Sequence, residues 1–414
     1  MTPAVAVKRI SEHGCEGEVY MVEGRRFRLE YSPMELRADA AYERGFGVRV
    51  LKKGRLGFGY STDLETAVEK ALEIASCSER LRLEFASPGR YPGAEVYDSR
   101  VEELEIEGAR ELLMQAVEGC REEGAAPAQV SMSWRVTRRE VHNTSGVEAV
   151  ERSTEAGVYA TGVAETSSGM HFASARSLSR MDFEEVGRRA GWLASSSRGA
   201  VRAPEKVEGV VFKPVAVAEL LESVLVPAFS AENVLRGRSR LAGMLGEQVF
   251  GENMSIHDDP TLPFSAGSCS FDDEGVPAKR KVLVEKGVLK SYLHSLLTAC
   301  RAGERSTGNA FRSSYSAQPE IDATNLVVSG DGGAEEDGAL VVHGLIGAHT
   351  ANTVSGDFSV ETRNAFYDGT PVRKAIIAGN IYELLKEASF GSDAEEVAGV
   401  ITPSMRAENL RVTG

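Results

Sequence analysis

The sequence contains no uninterrupted apolar run near the ~20 residues that a helix needs to cross a bilayer. Its first residues, Met1 to Val5, also lack the charged stretch followed by an apolar core that marks a secretory signal peptide. These two absences predict a cytoplasmic protein that has no membrane partner.

Cysteine is scarce in this chain. Among 414 residues there are five, at Cys15, Cys77, Cys120, Cys269 and Cys300. Their number is odd, their spacing is long and irregular, and no C-x-x-C pair occurs, which argues against a disulfide framework and against a zinc knuckle. We expect small reduced thiols, most of them inside the fold.

Dense basic runs are absent as well. Lys and Arg total 47 against 61 Asp and Glu, so the net charge is −14. A nucleic-acid partner requires a local basic surface. The two short basic runs, Arg25-Arg26 and Lys279-Arg280-Lys281, are flanked by acidic or apolar residues and are typical of solvated strand faces. The composition therefore argues against DNA or RNA as the main partner.

The histidines do not form a metallopeptidase motif. H-E-x-x-H places two imidazoles one helical turn apart, with a glutamate beside them as general base. The seven histidines are His13, His142, His171, His257, His294, His343 and His349. None precedes a glutamate, so the motif is missing. The inverted motif, a G-x-S-x-G serine turn and a Walker loop are missing too.

What is present indicates a large α+β protein. A chain of 414 residues exceeds one ordinary core and predicts two or three domains. Irregular stretches at 87–93 and 198–208 mark the boundaries. We predict an N-terminal αβ domain at 1–86 and a middle αβ domain with an antiparallel meander at 99–200. A glycine-rich, largely antiparallel β domain with one prominent helix is predicted at 207–414.

Periodicity and turn residues locate the elements. Alternating patterns predict turns at Gly24-Arg25, at 52–54 and at Lys286-Gly287. Thr62 and Asp182 are predicted to cap helices, and the prominent helix is predicted over 214–226. The meander at 130–173 is predicted to turn near 143–146, 155–157 and 167–169.

An acidic cluster, Asp272-Asp273-Glu274, precedes a glycine and a proline. Three adjacent carboxylates could hold a hard cation or position a cationic group of a substrate. The same residues also suit an Asx-type turn that leads into the following hairpin. The residues alone leave both interpretations open.

This segment begins a series of matches that resembles the C-terminal domain of the TldD/PmbA family. The matching stretches are SFDDEGVP at 270–277, VEKGVL at 284–289, YL at 292–293, STGNA at 306–310, TNL at 324–326, TVSGDFS at 353–359 and IAGNIYELL at 377–385. Upstream, VHNTSG at 141–146 resembles the family's turn in its middle domain. The first ~130 residues match the family only in their general pattern of elements.

The resemblance implies a subunit without a zinc site. In the family, the TldD-type subunit carries H-E-x-x-H on a helix and a third ligand, a cysteine, near its C-terminus. The segment of this chain that resembles this helix is 215–229, and it contains no histidine. The last cysteine of the chain is Cys300. These departures are similar to the PmbA/TldE branch, whose members pair with TldD in a peptidase that admits unfolded peptides. The resemblance thus implies no cofactor in this chain, zinc in a TldD-like partner, and a role in proteolysis or peptide maturation. The family's older name, modulator of DNA gyrase, agrees poorly with so acidic a chain.

Six residues are candidates for a peptide groove or a partner interface under this interpretation. They are Asp272, Asp273, Glu274, Asn309, Arg312 and Asp357. Each of them could instead be a turn residue that maintains the fold.

A second hypothesis is an independent homodimer, either a peptide-binding protein or a hydrolase with a metal site that no motif reveals. Such a site would need distant residues such as His257, His294, His343 and Asp272 to converge. Stoichiometric zinc in the chain purified alone would support this second hypothesis.

Overall fold

The first half of the chain is a sheet covered by helices. The computed structural model describes residues 1–330 and 332–414. The elements up to residue 200 are α1 (Pro3–Glu12), β1 (Glu16–Ser32), β2 (Glu35–Lys52), β3 (Arg55–Ser61), α2 (Leu64–Cys77), α3 (Ser99–Glu102), α4 (Ile106–Glu122), β4 (Ala126–Asn143), β5 (Glu148–Ala164), β6 (Ser167–Ala175), a 3₁₀ turn (Leu178–Arg180) and α5 (Phe183–Ser196).

The six strands form one antiparallel sheet in the order β3-β2-β1-β4-β5-β6. Strand β1 lies in its interior, paired with β2 along its whole length and with β4 on the other side. The segments 1–86 and 99–200 therefore contribute strands to the same sheet. The division of the chain into three domains stays a prediction.

Two of the predicted turns in this half are wrong. Gly24-Arg25 lies within β1, where Gly24 is opposite both Glu43 and Thr137. A Cβ at Gly24 would lie 2.9 Å from the carbonyl oxygen of Val136, so this glycine permits close approach of β4 instead of forming a turn. Residues 155–157 likewise continue β5, because β4 pairs with all three and β6 pairs with Ala156 and Gly157. The turn at 143–146 is confirmed. The turn predicted at 167–169 lies instead at 165–166, because residues 167–169 already pair with β5 as the start of β6.

The helix caps follow local chemistry. The cap of α2 is Asp63 and not Thr62, because the Asp63 carboxylate accepts the backbone N–H of Thr66 at 2.8 Å. The Asp182 cap of α5 is confirmed. Helix α1 was not predicted, although Thr2 caps it and Pro3 occupies its first turn.

The second half is also α+β, with a larger share of short strands, and this confirms the predicted fold class. Its elements are β7 (Gly209–Phe212), α6 (Pro214–Phe229), α7 (Ala231–Leu235), β8 (Ser255–Asp258), β9 (Lys281–Glu285), β10 (Val288–Leu289), α8 (Leu296–Ala302), β11 (Ala310–Phe311), β12 (Glu320–Ile321), β13 (Leu326–Ser329), β14 (Ala339–Ile346), a 3₁₀ turn (Ala348–Thr350), β15 (Asp357–Tyr367), β16 (Thr370–Val372), β17 (Ile376–Asn380), α9 (Ile381–Glu387), β18 (Ser389–Phe390), β19 (Glu395–Val397), β20 (Val400–Thr402), β21 (Met405–Ala407) and β22 (Arg411–Thr413).

These strands form two main sheets around one helix. The first sheet has the order β10-β9-β8-β13-β20-β19, and the second has β18-β21-β7-β14-β15-β17-β22 with β16 beside β15. The pairs β13/β20 and β7/β14 are parallel, and the remaining pairs within these sheets are antiparallel. Helix α6 is the prominent helix, and it extends three residues beyond the predicted end at Val226. It packs against both sheets, and most of its side chains are buried.

The predicted turns at Lys53-Gly54 and Lys286-Gly287 are confirmed. Both residues of each pair have positive φ, at 52° and 77° in the first pair and 47° and 75° in the second. This backbone matches the twist of a two-residue hairpin and favours glycine at the second position. No helix among residues 1–330 and 332–414 is long and apolar enough to cross a membrane.

Two glycines of β3 let α2 lie directly on the sheet. A Cβ at Gly59 would collide with the carbonyl oxygen of Ala67 and would lie 2.6 Å from the backbone nitrogen of Ala71. Gly57 has the same relation to the next turn of the helix. Since backbone atoms cannot rotate aside as a side chain can, the helix would have to move away from the sheet.

We therefore expect Gly59→Ala to lower the free energy of unfolding by about 1–3 kcal/mol through overpacking. The matched control is Gly93→Ala, because a Cβ at Gly93 meets no atom within 4 Å and its φ is not positive. Urea unfolding followed by circular dichroism measures both. Equal stability of the two variants would contradict the close-packing explanation.

Asp98 anchors the irregular segment before α3. Its carboxylate accepts hydrogen bonds from the guanidinium of Arg100, the hydroxyl of Ser177 and the backbone N–H of Leu178. Burial alone would raise the pKa of Asp98, but the hydrogen bonds from Arg100 and Ser177 lower this pKa to about 2.

Because the folded-state pKa of Asp98 lies below its ordinary value, its carboxylate stabilises the fold at neutral pH. This contribution is lost as the pH falls from about 4 to about 2. Asp98→Asn should therefore reduce the free energy of unfolding by about 2 kcal/mol near pH 7. Urea unfolding at decreasing pH should show the gap between variant and wild type narrowing below about pH 4. A gap that stays constant would rule out this role.

Candidate functional site

The acidic segment packs where the sheet of the first half meets the second half. Buried ion pairs connect it to four strands of that sheet, and we call this set the junction network. Its members are Glu18, Arg49, Arg139, Glu151, Asp273, Glu274 and Arg312. The network therefore joins residues that are far apart in the sequence.

Glu18 of β1 is the centre of one part of the network and has no exposed surface. Its two oxygens accept hydrogen bonds from Arg49 at 2.7 and 3.2 Å, and Oε1 also accepts one from Arg312 at 2.9 Å. Arg49 donates in turn to Oε1 of Glu274 at 2.7 Å. The other oxygen of Glu274 accepts the backbone N–H of Leu296 at 2.7 Å. Each carboxylate thus has both of its oxygens engaged.

Arg139 of β4 is the centre of the other part. It donates to Oδ1 of Asp273 at 2.7 Å, to Oε1 of Glu151 at 2.8 Å and to the carbonyl oxygen of Phe271 at 2.5 Å. The ring of Phe271 lies 4.7 Å from the guanidinium carbon, within cation–π range. The second oxygen of Glu151 accepts the backbone N–H of Ser270 at 2.6 Å. One arginine thus fixes both the backbone and a side chain of the acidic segment.

Asp272 is buried and forms no ion pair with a Lys, Arg or His in the part of the chain that the structure describes. Its carboxylate accepts the backbone N–H groups of Glu274, Val276 and Ala310 at 2.9–3.0 Å. Burial and the neighbouring charge of Glu274 raise the pKa of Asp272. Gly275 completes the turn with a φ of +76°. This geometry is that of an Asx turn, one of the two alternatives that the sequence leaves open.

Asn309 and Arg312 continue the site from the strand side. The amide of Asn309 donates to Asp258 and to the carbonyl oxygen of Asp322, both at 2.9 Å. The backbone N–H of Arg312 donates to Asp273 at 2.8 Å. Burial lowers the pKa of the Arg312 guanidinium, although the charge of Glu18 opposes this effect.

Five of the six candidate residues are therefore brought together, and Asp357 is not. Asp357 is exposed at the start of β15 and binds Ser355 and Asn380. Hydrogen bonds from these two side chains lower the pKa of Asp357. Among the residues that the structure describes, its hydrogen bonds are to Ser355 and Asn380 and not to the other five candidates.

A cavity of about 540 Å³ opens between the sheet and the second half, beside the network. Asp273 and Arg312 lie on its wall, whereas Asp272, Glu274 and Asn309 lie behind it. The wall also includes Arg139, Glu151 and Arg176, which sequence reasoning missed. An arginine within an alternating strand gives no local signal that it faces inward, so only the pairing of strands could reveal these residues.

Helix α6 does not provide a metal site. Oε1 of Glu219 lies 2.5 Å from Arg363, and Oε2 accepts the backbone N–H of Leu345 at 2.6 Å. Partial burial and the charge of Asp322 raise the pKa of Glu222, the next carboxylate on this helix. With no histidine on α6 and with Glu219 already bound to a cation, these residues do not fit a zinc ion.

The distant residues of the second hypothesis do not form a metal site either. Within the described part of the chain, no group of three or more His, Cys, Asp or Glu could hold a metal ion. His343 packs against Trp192 at 5.3 Å between ring centroids, and burial and the charge of Lys213 lower its pKa to about 4. His294 is buried beside Thr307, and His257 lies within β8.

The family models match the chain in three consecutive parts. They are the PmbA/TldA metallopeptidase domain 1 at residues 17–75, the central domain at 99–198 and the C-terminal domain at 205–414. The chain belongs to the TldD/PmbA family. These matches extend the resemblance seen in the sequence into the first 130 residues.

Similar proteins agree with this assignment. An uncharacterized protein of Methanocaldococcus jannaschii is 33% identical over 96% of this chain and 97% of its own. A metalloprotease of Methanothermobacter thermautotrophicus is 30% identical over 84% of this chain and 82% of its own. Among solved structures, TldE of Thermococcus kodakarensis has a TM-score of 0.89 and 25% identity, with 99% of each chain covered. This TldD/PmbA family member is thus similar to a metalloprotease over most of its length and to a TldE over nearly all of it.

The junction network gives a stability prediction. In Glu18→Gln the side chain keeps its size but loses its charge, which leaves Arg49 and Arg312 in a dry environment without their shared counterion. We expect the free energy of unfolding to fall by about 3–5 kcal/mol.

The control for this variant is Glu35→Gln, because Glu35 makes an exposed ion pair with Arg37. That change should alter stability by less than about 1 kcal/mol. Urea unfolding measures both variants. A loss in Glu18→Gln no larger than in the control would show that the network does not hold the two halves together.

Proposed function

We propose that this chain is the non-catalytic subunit of a TldD/TldE-type metallopeptidase that acts on unfolded peptides, in proteolysis or peptide maturation. The partner is a TldD-like subunit that carries H-E-x-x-H and the zinc ion. We place the complex in the cytoplasm, and this chain contributes no cofactor.

The observation that carries the proposal is that the Glu219 carboxylate on helix α6 is already bound within the fold. The resemblance assigns the zinc-binding residues of a TldD-type subunit to this helix. Here both oxygens of Glu219 are bound, one by Arg363 and the other by a backbone N–H. A carboxylate held in this way cannot act as a general base without breaking an ion pair. The helix therefore supports the fold without providing the chemistry.

A free strand edge supports the peptide-binding part of the proposal. The pairing of β2 with β3 begins at Phe46, so among residues 1–330 and 332–414 the segment 35–45 pairs with β1 alone. Residues 35–44 are exposed, and Ala41 and Glu43 lie on the wall of the cavity. An extended peptide can add to such an edge through main-chain hydrogen bonds, independently of its sequence.

The six candidate residues divide into three groups under this proposal. Asp273 and Arg312 belong to the peptide groove, because they lie on the cavity wall. The groove residues are positioned by three buried neighbours that do not line the cavity, Asp272, Glu274 and Asn309. Asp357 is exposed on another part of the surface and stays a candidate for the partner interface.

The test is peptidase activity together with metal analysis, on the chain alone and after mixing with a TldD-like protein from the same genome. We expect no zinc and no cleavage by the chain alone, and cleavage of an unfolded peptide by the mixture. As a control, a TldD-like partner whose motif glutamate is changed to glutamine should still form the complex but should not cleave.

Two outcomes would overturn the proposal. Zinc-dependent cleavage by the chain alone would support the independent hydrolase of the second hypothesis. A TldD-like protein that forms no complex with the chain, and cleaves at the same rate in its presence and absence, would remove the role as a subunit.

A further inference from the structure

The cavity wall holds two guanidinium groups that share one carboxylate. Oε2 of Glu155 lies 2.6 Å from Arg135 and 3.6 Å from Arg176. The guanidinium of Arg176 makes no hydrogen bond with the residues that the structure describes, and its Nε is buried without an acceptor. Charged donors rarely stay unpaired inside a protein, because their desolvation costs free energy that only an acceptor recovers.

The other buried arginines of the wall are already neutralised. Arg139 faces Glu151 and Asp273, and Arg312 faces Glu18. Arg135 and Arg176 face the one carboxylate of Glu155, so within this group of three side chains about one positive charge is unmatched. Burial and the nearby positive charges of Arg135 and Arg139 lower the pKa of Arg176, which is the expected effect of a missing counterion.

We propose that this cavity is a binding site for a single carboxylate, which the guanidinium of Arg176 holds. A guanidinium presents two parallel N–H groups that match the two oxygens of a carboxylate. The Arg176 side chain keeps 15% of its surface exposed, and the Arg135 side chain keeps 51%, so the site opens to solvent on the Arg135 side.

The charge of the wall selects a monoanion over a phosphate. Asp273, Glu151, Glu43 and Asp322 also line the cavity. A second negative charge on the ligand would be repelled by these four carboxylates. The remaining cations of the wall, Arg25 and Arg26, are exposed to solvent and therefore balance such a charge only weakly. Two sources can supply the carboxylate, the C-terminus of a peptide or an acidic side chain, and the experiment separates them.

Calorimetric titration of the full chain without any partner tests the site. The probes are acetyl-tetraalanine with a free C-terminal carboxylate, the same peptide as its C-terminal amide, an amide that contains one glutamate, and inorganic phosphate. We expect the free acid to bind and the plain amide and phosphate not to bind. Binding of the glutamate-containing amide would identify an acidic side chain as a second accepted source.

Two variants should change the affinity in opposite directions. Arg176→Gln removes the unmatched charge and should weaken binding of the free acid roughly tenfold or more. Glu155→Gln leaves both Arg135 and Arg176 without a counterion and should tighten binding. The control is Arg110→Gln on α4, where the arginine pairs only with exposed Glu107 and does not line the cavity.

The opposite signs separate this role from misfolding, which would weaken binding in both variants. Equal binding of acid and amide, tighter binding of phosphate than of carboxylate, or unchanged affinity in Arg176→Gln would each overturn the proposal. The site does not depend on the proposed function, because the titration needs neither zinc nor a TldD-like partner.

Discussion

A carboxylate without exposed surface must replace its lost hydration with cations or N–H donors. Glu18 does so with Arg49 from the neighbouring strand and Arg312 from the second half of the chain. This requirement fixes the approach of the two halves more strictly than apolar contact would, because guanidinium hydrogen bonds depend on direction as well as distance. Asp273, Glu274 and the cavity beside them take their positions from this constraint.

Helix α6 is required for packing, whether or not it carries catalytic residues. Its side chains belong to the largest apolar core of the molecule, together with residues from both sheets of the second half. Removing it would expose that core whether or not it binds a metal. The ion pair of Glu219 with Arg363 then ties its polar side to β15. The helix position is thus a property of the fold, and any chemistry on it depends on a few side chains.

The sequence could predict those features that neighbouring residues determine, such as turns. The turn at Lys286-Gly287 could be predicted from the alternating pattern on its two sides, and both of its residues have positive φ in the structure. Gly24 is also a glycine, but it is required by the close approach of β4 and not by a turn. No local sequence pattern distinguishes a turn glycine from a glycine at such a close approach. Asp272, Asp273 and Glu274 were found because they are adjacent in the sequence. Arg312 pairs with a glutamate 294 positions away, so only the fold could identify its partner.

The interior position of β1 in its sheet has a consequence for biosynthesis. Its first partner, β2, leaves the ribosome directly after it, but 93 residues, 33–125, separate the end of β1 from the start of β4. At elongation rates of about 5–20 residues per second, that interval is on the order of ten seconds. During this time the edge of β1 that later pairs with β4 is open in the nascent β1–β2 hairpin. Arg312, which pairs with Glu18, is synthesised later still. The junction network of the first half is therefore complete only after late translation of the second half, and until then the open edge of the hairpin is the kind of surface that favours aggregation.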